Sequence, residues 1–285
     1  MRRIPILCLA LCLLLTACGA AAAGTETAAG TELGVYFFAA GAADAIAITT
    51  ENSTVVIDCG EKGFGKEIVS WLEERGIDYI DYLIITHFDQ DHVGGAAKVI
   101  NSVTVGTVLQ SNCPKDSSEY EKYAAALENA GLEAVTVTSA MTFTLDGVTY
   151  TVDPPRSGSY DEDASNNSSL IVSVVNGGDR LLFLGDAMTE RLEEFLDTNS
   201  DTYDFIKVPH HGREETLMET LIASVQPETA VITSSDDEPE DESTVKTLEN
   251  AGIAVFYTRT GAVALTSTGS GVTAAYADEL QDADA

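Results

Sequence analysis

From Leu33 onward, the apolar and polar positions follow two alternating rhythms. GVYFFAA, AIAITT and TVVIDCG are short β-branched or aromatic runs with the character of strands, and KEIVSWLEERG then spaces its apolar residues as an amphipathic helix does. YLIITH predicts the next strand and a helix begins near Asp91; VGTVLQ, SEYEKYAAALENAG and AVTVTS continue the order strand, helix, strand. Gly76 and Gly131 stand where helices end, because glycine enters the left-handed conformation that closes a last turn without steric cost. In the middle, MTFTLDGVTYTV and SSLIVSVVNGGDRLLFLGD place Asp-Gly and Gly-Gly-Asp turns between alternating runs, which predicts antiparallel hairpins. MTERLEEFLDT, FIKVPHHG, EETLMETLIASV, TAVITS, STVKTLENAG, IAVFYT and GAVALTS restore the alternation of helix and strand. No repeat or linker divides this stretch, so residues 33–268 are expected to form one α/β domain of two sheets with helices outside. Residues 269–285 are expected to be an acidic, poorly ordered tail.

The N-terminus breaks this pattern. MRRIPILCLALCLLLTAC has a charged start at Arg2 and Arg3, then an apolar run too short for the roughly 20 residues of a spanning helix, which predicts a signal peptide over residues 1–17. Leu15-Thr16-Ala17-Cys18 resembles a bacterial lipobox, which implies acylation of Cys18. Residues 18–32, rich in Ala, Gly and Thr, suit a flexible tether. The expected location is extracytoplasmic, lipid-anchored on the cell membrane, with the acyl group as the membrane contact and no protein partner predicted.

Charge narrows the ligand classes. Fifteen Lys and Arg stand against 46 Asp and Glu in 285 residues, a formal charge of -31, so the surface repels polyanions and long nucleic acid is not favoured. Cys59 and Cys113 alone fall in the folded part, too few for a disulfide scaffold.

The candidate chemistry lies in the histidines. There are four, in two pairs: His87 and His92 within THFDQDHVGG, and His210 with His211. Asp89 and Asp91 interleave the first pair. After the strand YLIIT, His87 and Asp89 enter an extended loop where positions two apart point the same way, and Asp91 and His92 open the next helix. Imidazole and carboxylate are ligands for Zn, Mn or Fe, and four within six residues can serve two adjacent ions. Gly94 and Gly95 are expected to let the helix start approach that centre.

HFDQDH resembles the His-x-His-x-Asp-His metal motif of the metallo-β-lactamase superfamily, with Asp89 in place of the second histidine. The form Thr-His-x-Asp-x-Asp-His-x-Gly-Gly is similar to the hydrolase domain of ComEC-type competence proteins. FFAAGAADAIAI, VVIDCG, NNSSLIV, LLFLGD and IKVPHHG resemble further family segments in the same order. The resemblance implies an αββα sandwich with two mixed sheets and a metal-dependent hydrolase holding two divalent ions, Mn or Zn. It assigns His87 and Asp89 to one ion and Asp91, His92 and His210 to the other, with Asp186 bridging. His211 is a ligand or proton carrier beside them, Asp58 and Asn166 support the loop from behind, and Lys207 is a candidate to stabilise a substrate oxyanion. Three segments depart from the family: Gly41-Ala42-Ala43-Asp44, Arg213 after the His-His-Gly, and SSDDEPEDES, which lacks a late histidine.

Asp89 hardens the ligand set toward Mn. The leading expectation is hydrolysis of a phosphodiester in a small-molecule or polymer substrate, with Asp91 and His211 in the reaction. The rival classes are a hydrolase of a carboxylic ester, lactone or amide, and a metal-binding surface protein without turnover.

Overall fold

A computed structural model describes residues 30–279. The expected signal peptide, Cys18 and most of the tether lie outside these residues. The first half runs β1 (Leu33–Phe37), β2 (Ala45–Thr49), β3 (Thr54–Cys59), α1 (Gly65–Glu74), β4 (Tyr79–Ile85), α2 (Gln90–Val93), α3 (Ala96–Ser102), β5 (Thr104–Gln110), α4 (Ser118–Ala130) and β6 (Val135–Thr136). The second runs β7 (Met141–Leu145), β8 (Val148–Asp153), β9 (Ile171–Asn176), β10 (Asp179–Phe183), α5 (Thr189–Leu196), β11 (Phe205–Lys207), α6 (Met218–Val225), β12 (Thr229–Ile232), α7 (Glu242–Asn250), β13 (Ala254–Tyr257), β14 (Val263–Ser267) and β15 (Val272–Tyr276).

Two mixed sheets result. One has the order β15-β14-β1-β2-β3-β4-β5-β6 and the other β13-β12-β11-β10-β9-β8-β7. Side chains from both fill the space between them, with Phe37 5.4 Å from Phe205 and 6.1 Å from Phe183, ring centre to ring centre. A second apolar layer seats α1, α3 and α4 on the outer face of the first sheet, and a third seats α5, α6 and α7 on the outer face of the second. This is the expected αββα sandwich. β3 is buried at every position because helices cover one face and the partner sheet the other, which accounts for its unbroken apolar run.

The turn chemistry agrees with the sequence at Gly131, left-handed at the end of α4, and at Gly147, in the hairpin between β7 and β8. At Gly94 and Gly95 the reason differs from the expected one. A Cβ on Gly95 would collide with the Cys59 carbonyl, and one on Gly94 with the backbone of Glu61 and Lys62. These glycines let the loop sit on the backbone after β3, behind the centre.

The expected tail begins too early. β15 pairs antiparallel with β14 from Val263↔Tyr276 to Ser267↔Val272, so the domain continues through 276. Asp179 anchors this hairpin, accepting from Ser267 Oγ at 2.7 Å and from the Gly269 amide at 2.8 Å. The short VTAAY run carries too little periodicity to be distinguished from the acidic residues after it. Among the described residues, no helix is long and apolar enough to cross a membrane.

Candidate metal centre

The parallel strands β3, β4, β10, β11 and β12 all end on one edge of the sandwich, and the segments leaving them carry the polar residues. Open α/β sheets place ligands outside such carboxyl ends.

Asp58 closes β3 with a left-handed backbone, φ 56°. Its carboxylate accepts from the Thr86 amide at 2.8 Å, from Thr86 Oγ1 at 2.6 Å and from His92 Nδ1 at 2.8 Å. The last bond fixes the tautomer of His92 and turns Nε2 toward the centre. His211 is set in the same way: Nδ1 donates to the Thr233 carbonyl at 3.0 Å, and Thr233 Oγ1 donates to Asp44 at 2.7 Å. Between the two imidazoles lies Asp186, its Oδ2 3.2 Å from His92 Nε2 and 3.1 Å from His211 Nε2. Asp91 Oδ2 is 3.1 Å from His211 Nε2 and 3.6 Å from His92 Nε2. Asp91, His92, Asp186 and His211 thus offer one ligand atom each, all within 4.8 Å of one another.

Opposite charges set the protonation here. Burial favours neutral imidazoles, yet Asp186 and its neighbours outweigh it, raising His92 well above the usual range and His211 to about 9. Burial likewise favours neutral carboxyls, but the imidazoles hold Asp91 and Asp186 well below theirs. His87 differs. Burial, reinforced by His92 at a ring separation of 4.0 Å, lowers its pKa and keeps it neutral.

The donor set fits divalent ions. Among the described residues, six buried side-chain atoms lack a hydrogen-bond partner, and four belong to this centre: His87 Nε2, His92 Nε2, Asn166 Oδ1 and Asp186 Oδ1. Buried polar atoms are costly to leave unsatisfied, and imidazole nitrogen with carboxylate oxygen is the chemistry a cation completes.

His87, Asp91, His92, Asp186 and His211 are brought together, with Asp58 directly behind His92. Other residues stand elsewhere than the sequence suggested. His210 is turned away from the four-residue group; its Nδ1 donates to Glu215 at 3.1 Å and its Nε2 accepts from Asn166 Nδ2 at 3.2 Å. It is His211 that joins the carboxylates. Both histidines have left-handed backbones, φ 48° and 54°, a costly conformation outside glycine that separates their rings by 6.3 Å. Lys207 cannot reach a substrate. It is fully buried, with Nζ 2.5 Å from Asp44, 3.1 Å from the Gly185 carbonyl and 3.6 Å from Asp186, so its charge neutralises the acids behind the centre. Asp89 lies at the edge, where it accepts from Lys115 Nζ at 2.6 Å and from the Ser165 hydroxyl.

The sequence reading missed Thr233, Glu215, Lys115 and Ser165, whose only signal is position, at a strand end or in a loop flanking the cleft. The acidic run is partly structural: Glu238 pairs with Arg213, Glu240 with Arg259, and Asp241 accepts from the Glu214 amide at 2.8 Å, bracing the His-His-Gly turn.

Known proteins agree with this architecture. ComE operon protein 3 of Bacillus subtilis is 28% identical over 170 residues, 59% of this chain and 22% of that protein. Recombination protein 2 of Haemophilus influenzae is 24% identical over 168 residues, 59% of this chain and 19% of that protein. The chain therefore spans about a fifth of the length of these relatives. The solved metallo-beta-lactamase fold protein YhfI from Bacillus subtilis shares the fold at TM-score 0.56 and 10% identity, over 86% of this chain and 100% of its own. Residues 39–234 match the sequence description of one family across most of the sandwich, and the chain belongs to the metallo-beta-lactamase superfamily.

Proposed function

We infer that the protein is a metal-dependent hydrolase that cleaves a phosphodiester. The observation that carries this reading is the convergence of Asp91, His92, Asp186 and His211 within 4.8 Å, with both imidazoles oriented from behind by Asp58 and Thr233. Asp91, His92, Asp186 and His211 would hold one divalent ion, and His87, Asp89 and Asp186 a second, Mn or Zn. Bound there, such ions supply an acidified water and neutralise a phosphoryl oxygen. Asp91 is the most exposed of the four, with 30% of its side chain open, and its lowered pKa keeps it an ionised carboxylate, the form that binds a cation, at neutrality. Lys207 offsets the negative charge of Asp44 and Asp186 without touching substrate.

Asp89 in place of a histidine supports phosphodiester over lactam or lactone, as does the likeness to a relative named Recombination protein 2. The charge of -31 supports a small or short substrate over long DNA. Acylation of Cys18 would keep the domain on the outer face of the cell membrane. The test is turnover of bis-p-nitrophenyl phosphate with Mn, in wild type and Asp91→Ala. Turnover should need Mn and fall to background in the variant. Equal rates in the two proteins, or none in either, would reject the reading.

A further inference from the structure

We propose that Lys115 is a built-in counter-cation for the His87–Asp89 side of the centre, so that the two metal positions fill in order, the Asp91–His92–Asp186–His211 position first. This rests on the metal-dependent reading above.

The two sides differ in what already satisfies their carboxylates. Asp91 and Asp186 face the imidazoles that are themselves candidate ligands. Asp89 instead takes an ammonium from the loop between β5 and α4 and a hydroxyl from the loop before Asn166, both on Oδ1. With the Lys115 ammonium 2.6 Å from its Oδ1, Asp89 is a carboxylate with a cation already beside it. A metal ion that used Asp89 would have to displace that ammonium or accept its repulsion. Lys115 is free to move, since 42% of its side chain is exposed and its loop lies at the surface. Lysine is a compact charge on a flexible stem, able to exchange one partner for water or for another anion. Removing one unit of positive charge at this range changes cation affinity by about tenfold.

The order of filling follows. The first ion enters a position where Asp91 and Asp186 face imidazoles that become ligands themselves once they give up a proton, so no side chain has to leave. The second enters only as Lys115 leaves Asp89, which also releases the Ser165 hydroxyl and so ties two rim loops to metal occupancy.

The test is calorimetric titration of the chelator-treated full chain with manganese chloride, using wild type, Lys115→Met, Lys115→Arg, Asp89→Asn and the Asp89→Asn/Lys115→Met pair. Wild type should show two events whose affinities are separated. Lys115→Met should tighten the weaker event by about tenfold and leave the tighter one unchanged, while Lys115→Arg keeps the wild-type separation. With Asp89→Asn present, the lysine substitution should change nothing. Unchanged or weakened second binding in Lys115→Met would overturn the proposal, as would two equal events in wild type. An absence of any binding to wild type would reject the metal-dependent reading itself, an outcome distinct from two events insensitive to Lys115.

Discussion

On one side of the centre, Asp91, His92, Asp186 and His211 face one another as charged partners; on the other, His87 is neutral and Asp89 is turned to Lys115 and Ser165. Both sides draw ligands from the same loop after β4, Asp91 and His92 for one and His87 and Asp89 for the other. The difference teaches that a ligand motif fixes the residue types and leaves the electrostatic state to partners that arrive from elsewhere in the chain. Asp91 meets His211 across 120 residues, and Asp89 meets Ser165 across 76.

The largest expected effect comes from removing what the two sides share. Asp186→Ala should lower metal retention by a hundredfold or more, on the order of two lost ligand bonds, whereas Asp89→Ala should spare one ion per chain. Elemental analysis after native purification measures both, and equal loss in the two variants would erase the contrast between the sides.

Next comes pH. Raised imidazole pKa values mean that the folded protein holds protons on His92 and His211 near neutrality, and a metal ion must displace them. Affinity for the first ion should therefore rise with pH, by about tenfold per unit for each proton released, until His211 loses its own proton at about 9. His87 carries no such proton, so the second ion should show a flatter profile. Titration in buffers of different ionisation enthalpy counts the released protons, and a count of zero for the first ion would contradict the charge arrangement.

Asp58→Ala removes the carboxylate that orients His92 and should weaken the first ion by about 10- to 100-fold. Competition with a chelator measures this. Smallest of all is His210→Ala, which should change first-ion affinity less than about twofold because both ring nitrogens are engaged outside the four-residue group. The His211→Ala protein beside it should lose that ion.

Much of the sandwich was legible from periodicity, since β-branched runs and amphipathic segments report burial directly. The quartet from His87 to His92 was legible because its spacing is local. The choice between His210 and His211 was not, because adjacent residues in a left-handed turn diverge and no pattern says which one faces inward. Lys207 was equally ambiguous: a lysine at a strand end reads as exposed or as site-facing, and only the Asp44 carboxylate at 2.5 Å reveals a third state, a buried charge with a buried partner. Lys115 was hidden because its significance depends on Asp89, 26 residues earlier.

The origin of the ligands has a mechanical consequence. Asp91 and His92 follow β4 in the first sheet, while Asp186 and His211 follow β10 and β11 in the second, so an ion held by all four acts as a rivet through the sandwich. An unfolded chain cannot present this set, and binding then resists separation of the two layers. At a free metal concentration about a thousand times the dissociation constant, unfolding is opposed by about 4 kcal/mol. Heat should thus open the protein at a temperature that climbs with metal concentration, and a chelator should loosen the seam between the sheets while the helices stay seated on their own layers.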